Sequence, residues 1–484
     1  MTKKSILRLL QASLMCCLAV LFTACDDIFA NEDNPRPAYL SIIEKPVTIK
    51  IGDTYKRTAS SLSDVVIEYT SSNTNVATVD NSGLVTAIAE GTATITATAT
   101  GYSSQNGKKI YQPASASYKV TVTPATVAVT GLTLNKANLR FDKNVLTAQA
   151  LIADVLPADA TDKTVTWTSS DPTVATVDAS GNVTPKAKGT ATITAKAGDL
   201  SATSTIYVYD KIVDINDGAT SVTAGESWLI NGNGTKVANG ITIGDGATVT
   251  LNGINITKGI ECSGDATIIL ADGSTNTVIG SSLEAGIVVG PSGTTLTIDA
   301  ETAGDGKLNA TGGSQSAGIG TGYNYTSDFT CGAITINGGE ITAKGGSYAA
   351  GIGTALTINK NSTCGAITIN GGTVTATGGY GAAGIGTGQA YKSSSNTCGA
   401  IAIGTGVTSV TATKGFSSPN SIGKGYTSVG TQNCGTITFD TVQVFDGAVW
   451  SPAPMVAGIY GGLNLAISTT TNANDTWTLT PVAP

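Results

Sequence analysis

The sequence predicts an all-β protein: two small β-sandwiches followed by a right-handed parallel β-helix. Three observations carry the prediction. Glycine is 59 of 484 residues and charged residues are only 13%, yet hydrophobic residues reach 41%. That balance suits many short strands and turns around a real core, not a disordered chain. A stretch beginning at Tyr69 returns without a gap at Trp167, 98 residues later. Four cysteines, Cys331, Cys364, Cys398 and Cys434, head blocks spaced 33, 34 and 36 residues apart. The length by itself implies roughly three domains.

Composition also removes several functions. There is no histidine, so Ser-His and Cys-His nucleophile pairs and the usual zinc ligand are absent. With 27 basic and 34 acidic residues, a nucleic-acid partner is not expected. No Arg follows Arg140, which takes the planar phosphate-binding fork from most of the chain.

Residues 1–24 form a secretory signal. Lys3, Lys4 and Arg8 are its basic region, Leu14 to Phe22 its apolar run, and Thr23-Ala24 precede Cys25. The run is too short to span a bilayer well. Small residues before a cysteine resemble a bacterial lipobox, which implies cleavage before Cys25 and lipid on its sulfur. Several acyl chains would anchor the chain stably, at about 0.8 kcal/mol per buried methylene. Asp26 and Asp27 resemble the export tag of surface lipoproteins in some Gram-negative bacteria. Residues 25–37 then read as an acidic tether, and the expected location is the outer membrane, at the cell surface. Cys16 and Cys17 leave with the signal.

Residues 38–123 and 124–209 are the two copies. YTSSNTNVATVDNSGLVTAIAEGTATITA and WTSSDPTVATVDASGNVTPKAKGTATITA alternate apolar with Thr and Ser, the pattern of half-buried strands. Val76, Val79, Leu84, Ile95, Val174, Val177 and Ile193 are the expected inward residues. Asn81-Ser82-Gly83 and Ala179-Ser180-Gly181 are turn chemistry. Tyr69 and Trp167 read as core aromatics. This pattern resembles the bacterial Ig-like domain, group 2, which implies β-sandwiches acting as spacers. The first copy carries GYSSQNGKKIYQPASA before its last strand, a predicted protruding hairpin.

Residues 210–484 have a different texture. CGAITINGGEITAKGGSYAAGIGT and CGAITINGGTVTATGGYGAAGIGT each contain three strand-like runs separated by glycines. A fixed period above about 20 residues marks a solenoid. Three strands per repeat fit one coil of a β-helix, whose equivalent positions stack about 4.8 Å apart. Ile334, Ile367, Ile401 and Ile437 are one expected inward ladder, and Ile319, Ile352, Ile385 and Ile422 another. Asn337 and Asn370 should stack at one bend. Trp450 and Trp477 belong to an expected C-terminal cap. The texture resembles GG-rich, AGIG-containing repeats of bacterial surface proteins of the carbohydrate-binding or adhesin type.

Chemistry is poorly supplied in these coils. Between Cys331 and Asn433 the one carboxylate is Glu340, so no hydrolytic pair forms there. Asp299, Glu301, Asp305 and Asp328 lie in the preceding coil. The cysteine spacing is no zinc or iron-sulfur motif; stacked, the four are either an apolar thiol ladder or within disulfide reach. No cofactor and no metal are expected. Aromatic residues recur instead. Tyr348, Tyr380 and Phe416 follow the second strand of successive blocks, and Tyr323, Tyr325, Tyr391 and Tyr426 lie in or beside the inserts. Two aromatic columns would offer faces on which sugar rings stack. An ice-binding face would need an unbroken outward Thr array, and Ala402 interrupts the series Thr335, Thr368 and Thr438. The sequence therefore points to a surface lipoprotein that binds polysaccharide or a host or bacterial surface glycan without catalysis, and meets membrane only through its lipid. The alternatives are a β-helix polysaccharide lyase or glycoside hydrolase, and a structural stalk or assembly subunit.

Overall fold

The computed structural model describes residues 35–61, 64–104, 107–109, 111–301, 304–451, 455–469 and 475–482. Cys25, the signal and most of the tether lie outside them. The chain divides into two compact units. One holds residues 1–133, 154–164 and 197–200; the other holds 134–153, 165–196 and 201–484. The second Ig-like copy therefore belongs mainly with the repeat region.

In the first copy, strands Val47–Lys50, Ala114–Thr123, Gly91–Ser103 and Val65–Ser71 form one sheet, and Thr54–Lys56, Leu84–Ala87 and Ala77–Val79 a second. Their inner faces meet at Val76, Val85, Ile95, Tyr118 and Val120. Leu84 is only half-buried; the alternation places its neighbour Val85 inside. The predicted hairpin forms, with Tyr102 opposite Lys109, but its base does not protrude. Tyr111 is buried against Ala38, Val65 and Ala99. The second copy repeats the plan, with Leu139, Phe141, Val183, Ile193 and Ile206 inside. Gly83 and Gly181 show why the turn and the aromatic travel together. Both have positive φ, +78° and +83°, and a Cβ on either would collide with a facing carbonyl, Arg57 O at 2.4 Å or Leu151 O at 2.5 Å. The same Cβ would press on the ring of Tyr69 or Trp167.

From Lys211 the chain winds through three sheets in turn. The first runs Lys211–Asp214, Ser227–Asn231, Ala247–Asn252, Ala266–Leu270, Thr295–Ala300, Ala333–Ile336, Ile367–Ile369, Ile401–Ile403 and Ile437–Phe439, all parallel and in register. The second sheet carries Ile319, Ile352, Ile385 and Ile422, and the third Lys307–Thr311, Glu340–Lys344, Gly372–Thr377 and Val407–Thr413. Both isoleucine ladders stack as expected and are fully buried. Each such side chain contributes about 1.5–3 kcal/mol, realised only because the next coil covers it. Asn370 Nδ2 donates to Asn337 Oδ1 at 3.0 Å.

The inserts also stack, which the sequence pattern does not announce. Phe329–Cys331, Ser362–Cys364, Ser395–Cys398 and Thr431–Cys434 make a fourth parallel sheet, with cysteine on cysteine. At the C-terminal end strand direction reverses. Asp475–Pro481 pairs antiparallel with the last third-sheet strand, and Val442–Phe445 with the last first-sheet strand. Trp477 meets Trp450 edge-on, centroids 5.3 Å apart, and Trp450 meets Phe445 at 4.9 Å. These elements cover the open end of the coil stack.

Candidate functional site

The bend after each third-sheet strand places the aromatic residues. Its glycines stack coil on coil: a Cβ on Gly346 would meet Gly313 O at 1.9 Å, and one on Gly379 would meet Gly346 O at 2.1 Å. Counting from those glycines, Tyr380 and Phe416 are equivalent, and Ser347 is the residue below them. Tyr348 falls one place later. It shares the next position with Gln315, Gly381 and Ser417, all with φ between 68° and 72°. The expected single column of Tyr348, Tyr380 and Phe416 is therefore corrected. The blocks GGSYAAGIG and GGYGAAGIG have equal length, so Ser347 takes the place of Tyr380 and Tyr348 that of Gly381, a left-handed position with φ +69°.

The rings still form one chain of contacts. Tyr391 lies 6.2 Å from Tyr348, Tyr348 5.6 Å from Tyr380, and Tyr380 5.7 Å from Phe416. The interplanar angles are 77°, 75° and 41°, so the series is a ridge of edges and faces, not a flat platform. Tyr380 is 45% exposed and Phe416 50%. Ser417 Oγ donates to the Tyr380 hydroxyl at 3.2 Å and steadies it. Tyr348 and Tyr391 are half-buried and pack with Leu356 and Ile358.

The second expected column does not form. Tyr323 is 6% exposed, and Leu356 and Phe329 enclose it. It holds an insert onto the coil and presents no face to a ligand; burial pushes its hydroxyl pKa up. Tyr325 sits edge-on to it at 4.5 Å and is 62% exposed. Tyr426, also exposed, is bound through its backbone, with its carbonyl accepting from Gln432 Nε2 at 3.0 Å.

Beside the ridge lies the outer face of the third sheet. Asn309, Thr342, Thr375, Thr411 and Thr478 occupy one outward column, and Thr311, Lys344, Thr377, Thr413 and Thr476 the next. Three consecutive strands thus each present two threonines. The outward series on the first sheet is interrupted at Ala402. The run of paired threonines lies on the third sheet, the second strand of each repeat block in chain order, whereas the outward series weighed from the sequence is that of the first strand.

The acidic residues have structural duties. Glu301, with its side chain 2% exposed, pairs with Arg140 and accepts from Asp272 N at 3.0 Å. Asp305 accepts from Gly273 N at 2.7 Å, and Asp328 from Asn361 N at 2.8 Å. Glu340 pairs with Lys307 at 2.6 Å on the surface. Among the described residues no cluster of His, Cys, Asp or Glu is arranged to hold a metal. Among the described residues, one cleft is lined by Lys211, Asp217 and Trp228 and another by Lys188, Tyr209 and Glu301. Neither includes the ridge.

Residues 40–111 and 143–207 match the bacterial Ig-like domain (group 2), and residues 304–323, 334–355 and 367–389 match the beta helix repeat. The chain carries bacterial Ig-like modules and β-helix repeats. It is 47% identical over 88 residues to the Ig-like virion protein of Serratia phage KSP90, 18% of this chain and 33% of that one. It is 32% identical over 152 residues to Ice-binding protein 1 of Shewanella frigidimarina, 31% of this chain and 16% of that one. It is 49% identical over 74 residues to an alpha-L-arabinofuranosidase of Bifidobacterium longum subsp. longum, 15% of this chain and 7% of that one. The chain thus spans a third or less of these relatives. Ig-like modules joined to β-helix repeats suggest a surface or adhesin-like protein, and the glycosidase-named relative leaves an enzymatic role open.

Proposed function

We propose that the protein is a lipid-anchored surface lipoprotein, held by Cys25, whose β-helix binds glycan without chemistry while the Ig-like modules act as spacers. The observation that carries this is the exposed pair Tyr380 and Phe416, one ring per coil, beside columns of outward threonines. A pyranose presents a C–H face to an aromatic ring and hydroxyls to its surroundings. Tyr380 and Phe416 supply the first contact, and Thr375, Thr377, Thr411 and Thr413 supply donors and acceptors for the second. One relative, named an alpha-L-arabinofuranosidase, supports a glycan setting. The test is a glycan array probed with the full chain, followed by titration of the best ligand. Tyr380→Ala with Phe416→Ala should weaken binding about tenfold, since each ring contributes ~0.5–1.5 kcal/mol beyond its buried area. No glycan bound, or binding indifferent to both changes, overturns the site. Release of new reducing ends or unsaturated sugars from a bound polymer would favour the lyase or hydrolase reading instead.

One observation favours a second reading. The paired threonines Thr375/Thr377, Thr411/Thr413 and Thr478/Thr476 form a regular outward array, and one relative is named an ice-binding protein. Thermal hysteresis in a freezing assay, lost on Thr411→Tyr, would support ice as the ligand of that face.

A further inference from the structure

The four repeat cysteines lie one per coil, in register on adjacent parallel strands: Cys331 beside Cys364, Cys364 beside Cys398, and Cys398 beside Cys434. Neighbouring strands sit about 4.8 Å apart, inside the Cα separation of roughly 4.4–6.8 Å that a disulfide needs. All four are buried, 5% exposed or less. Cys331 Sγ lies 2.8 Å from Cys364 Sγ, and pairing those two leaves Cys398 beside Cys434 on the adjacent strand. Four cysteines allow three connectivities, and this arrangement singles out one.

We propose that Cys331–Cys364 and Cys398–Cys434 are oxidised to two disulfides, each clipping one coil of the β-helix to the next. The clips fall where the inserts rejoin the first sheet, immediately before Gly332, Gly365, Gly399 and Gly435. That junction carries the short fourth sheet, whose three- and four-residue strands hold few ladder bonds of their own. The oxidant is an external disulfide of the exchange class. In the second pair, with Cys434 attacking first, the step is ordinary thiol–disulfide exchange. The Cys434 thiolate attacks one sulfur of the external disulfide and expels a thiolate. Cys398 then loses its proton and displaces the second sulfur. Two protein thiols become one disulfide, and the reagent leaves as two thiols that carry the two protons. Exchange takes place as the coils close, before the sulfurs are covered. Cys262 has no such neighbour: Ile243 flanks it on the preceding strand, and burial pushes its thiol up to about 12.

The test is refolding of the full chain in an oxidised and reduced glutathione buffer, acid quench, alkylation under denaturing conditions and peptide mass mapping. The expected result is two linked peptide pairs, 331 with 364 and 398 with 434, with Cys262 alkylated. Reductant should lower the melting temperature of the oxidised chain by roughly 5–10 °C. Cys364→Ala should free Cys331 and leave the Cys398–Cys434 link intact. Alkylation of all four cysteines, a Cys364–Cys398 link, or a scrambled mixture overturns the proposal. The result is independent of what the ridge binds.

Discussion

Replacing Gly386 by alanine tests whether the AGIG motif is a backbone requirement of stacking. Gly353, Gly386 and Gly423 occupy the same place in successive coils, with φ of +132°, +132° and +111°. Any side chain there costs about 1–3 kcal/mol of backbone strain. At Gly386 a Cβ also meets Gly423 O at 2.0 Å, and the obstacle is backbone that no rotamer change can move. Restoring contact distance means lifting the next coil by more than about 1 Å, an overpacking cost of a further ~1–3 kcal/mol. Gly386→Ala should therefore lose roughly 3–5 kcal/mol. Gly423 is the control, because it tops the column. Its Cβ would meet side chains alone, Ile437 Cδ1 at 3.1 Å and Trp450 at 3.6 Å, so Gly423→Ala should show the strain with little of the clash, about 1–3 kcal/mol. The assay is urea unfolding followed by tryptophan fluorescence, since Trp228, Trp450 and Trp477 all lie in the β-helix. Equal losses for the two variants would refute the stacking argument and leave φ alone as the reason for glycine.

Two further outcomes follow from the buried charges. Glu301→Ala should cost roughly 3 kcal/mol, the low end for removing one partner of a buried pair, because Arg140 keeps 20% exposure. Urea unfolding of Glu301→Ala, Arg140→Ala and the double variant checks it, with the double expected to lose less than the two singles together. Asp210 accepts from Lys143 Nζ at 2.5 Å and Ser227 N at 2.7 Å, with Lys188 Nζ 3.3 Å away. Burial raises its pKa, but the bonds from Lys143, Ser227 and Lys188 outweigh that and hold it below the ordinary value. A depressed carboxylate stabilises above its unfolded pKa, near 3.9, and the gain is lost as pH falls through the folded value. Asp210→Asn should then cost about 2 kcal/mol at pH 7, and its melting temperature should converge with that of the parent as pH falls below the unfolded value and through the lower folded one.

The ladders were legible because a period of 33 to 36 residues repeats the same apolar letters at the same offsets, and stacking is the one way to bury them. Ile334 and Ile367 could be paired on paper for that reason. The offset of Tyr348 was legible too: Ile352 and Ile385 are 33 residues apart but Tyr348 and Tyr380 only 32, so the two rings fall at different places of the bend. Burial of Tyr323 was hidden. It depends on Leu356, in the insert that follows the next coil, and on the fold of polar inserts whose composition looks like loop. The third-sheet threonines were in plain view, but their meaning depends on which side of the strand faces inward. That is fixed by the buried pairs Ile341/Ala343, Val374/Ala376 and Val410/Ala412, an alternation that the sequence itself carries. The acids near Glu301 looked like a possible site. The partner that claims Glu301 is Arg140, 161 residues away in sequence, and nothing local marks it.

The repeat also constrains the kind of ligand that fits. Coil stacking copies each exposed side chain to the next rank about 4.8 Å along the axis. A ligand with a single recognition unit can use one rank, a ring and two or three hydroxyls, and such exposed contacts are individually weak. A ligand that is itself periodic can engage ranks in succession, each later contact being effectively intramolecular after the first. The low charge of this face means that little affinity can come from long-range attraction, so it must accumulate rank by rank. Tyr380 and Phe416 with the paired threonines of three strands give two to three ranks. On the proposed glycan-binding reading, a linear polymer running along the axis would suit this surface better than a small sugar.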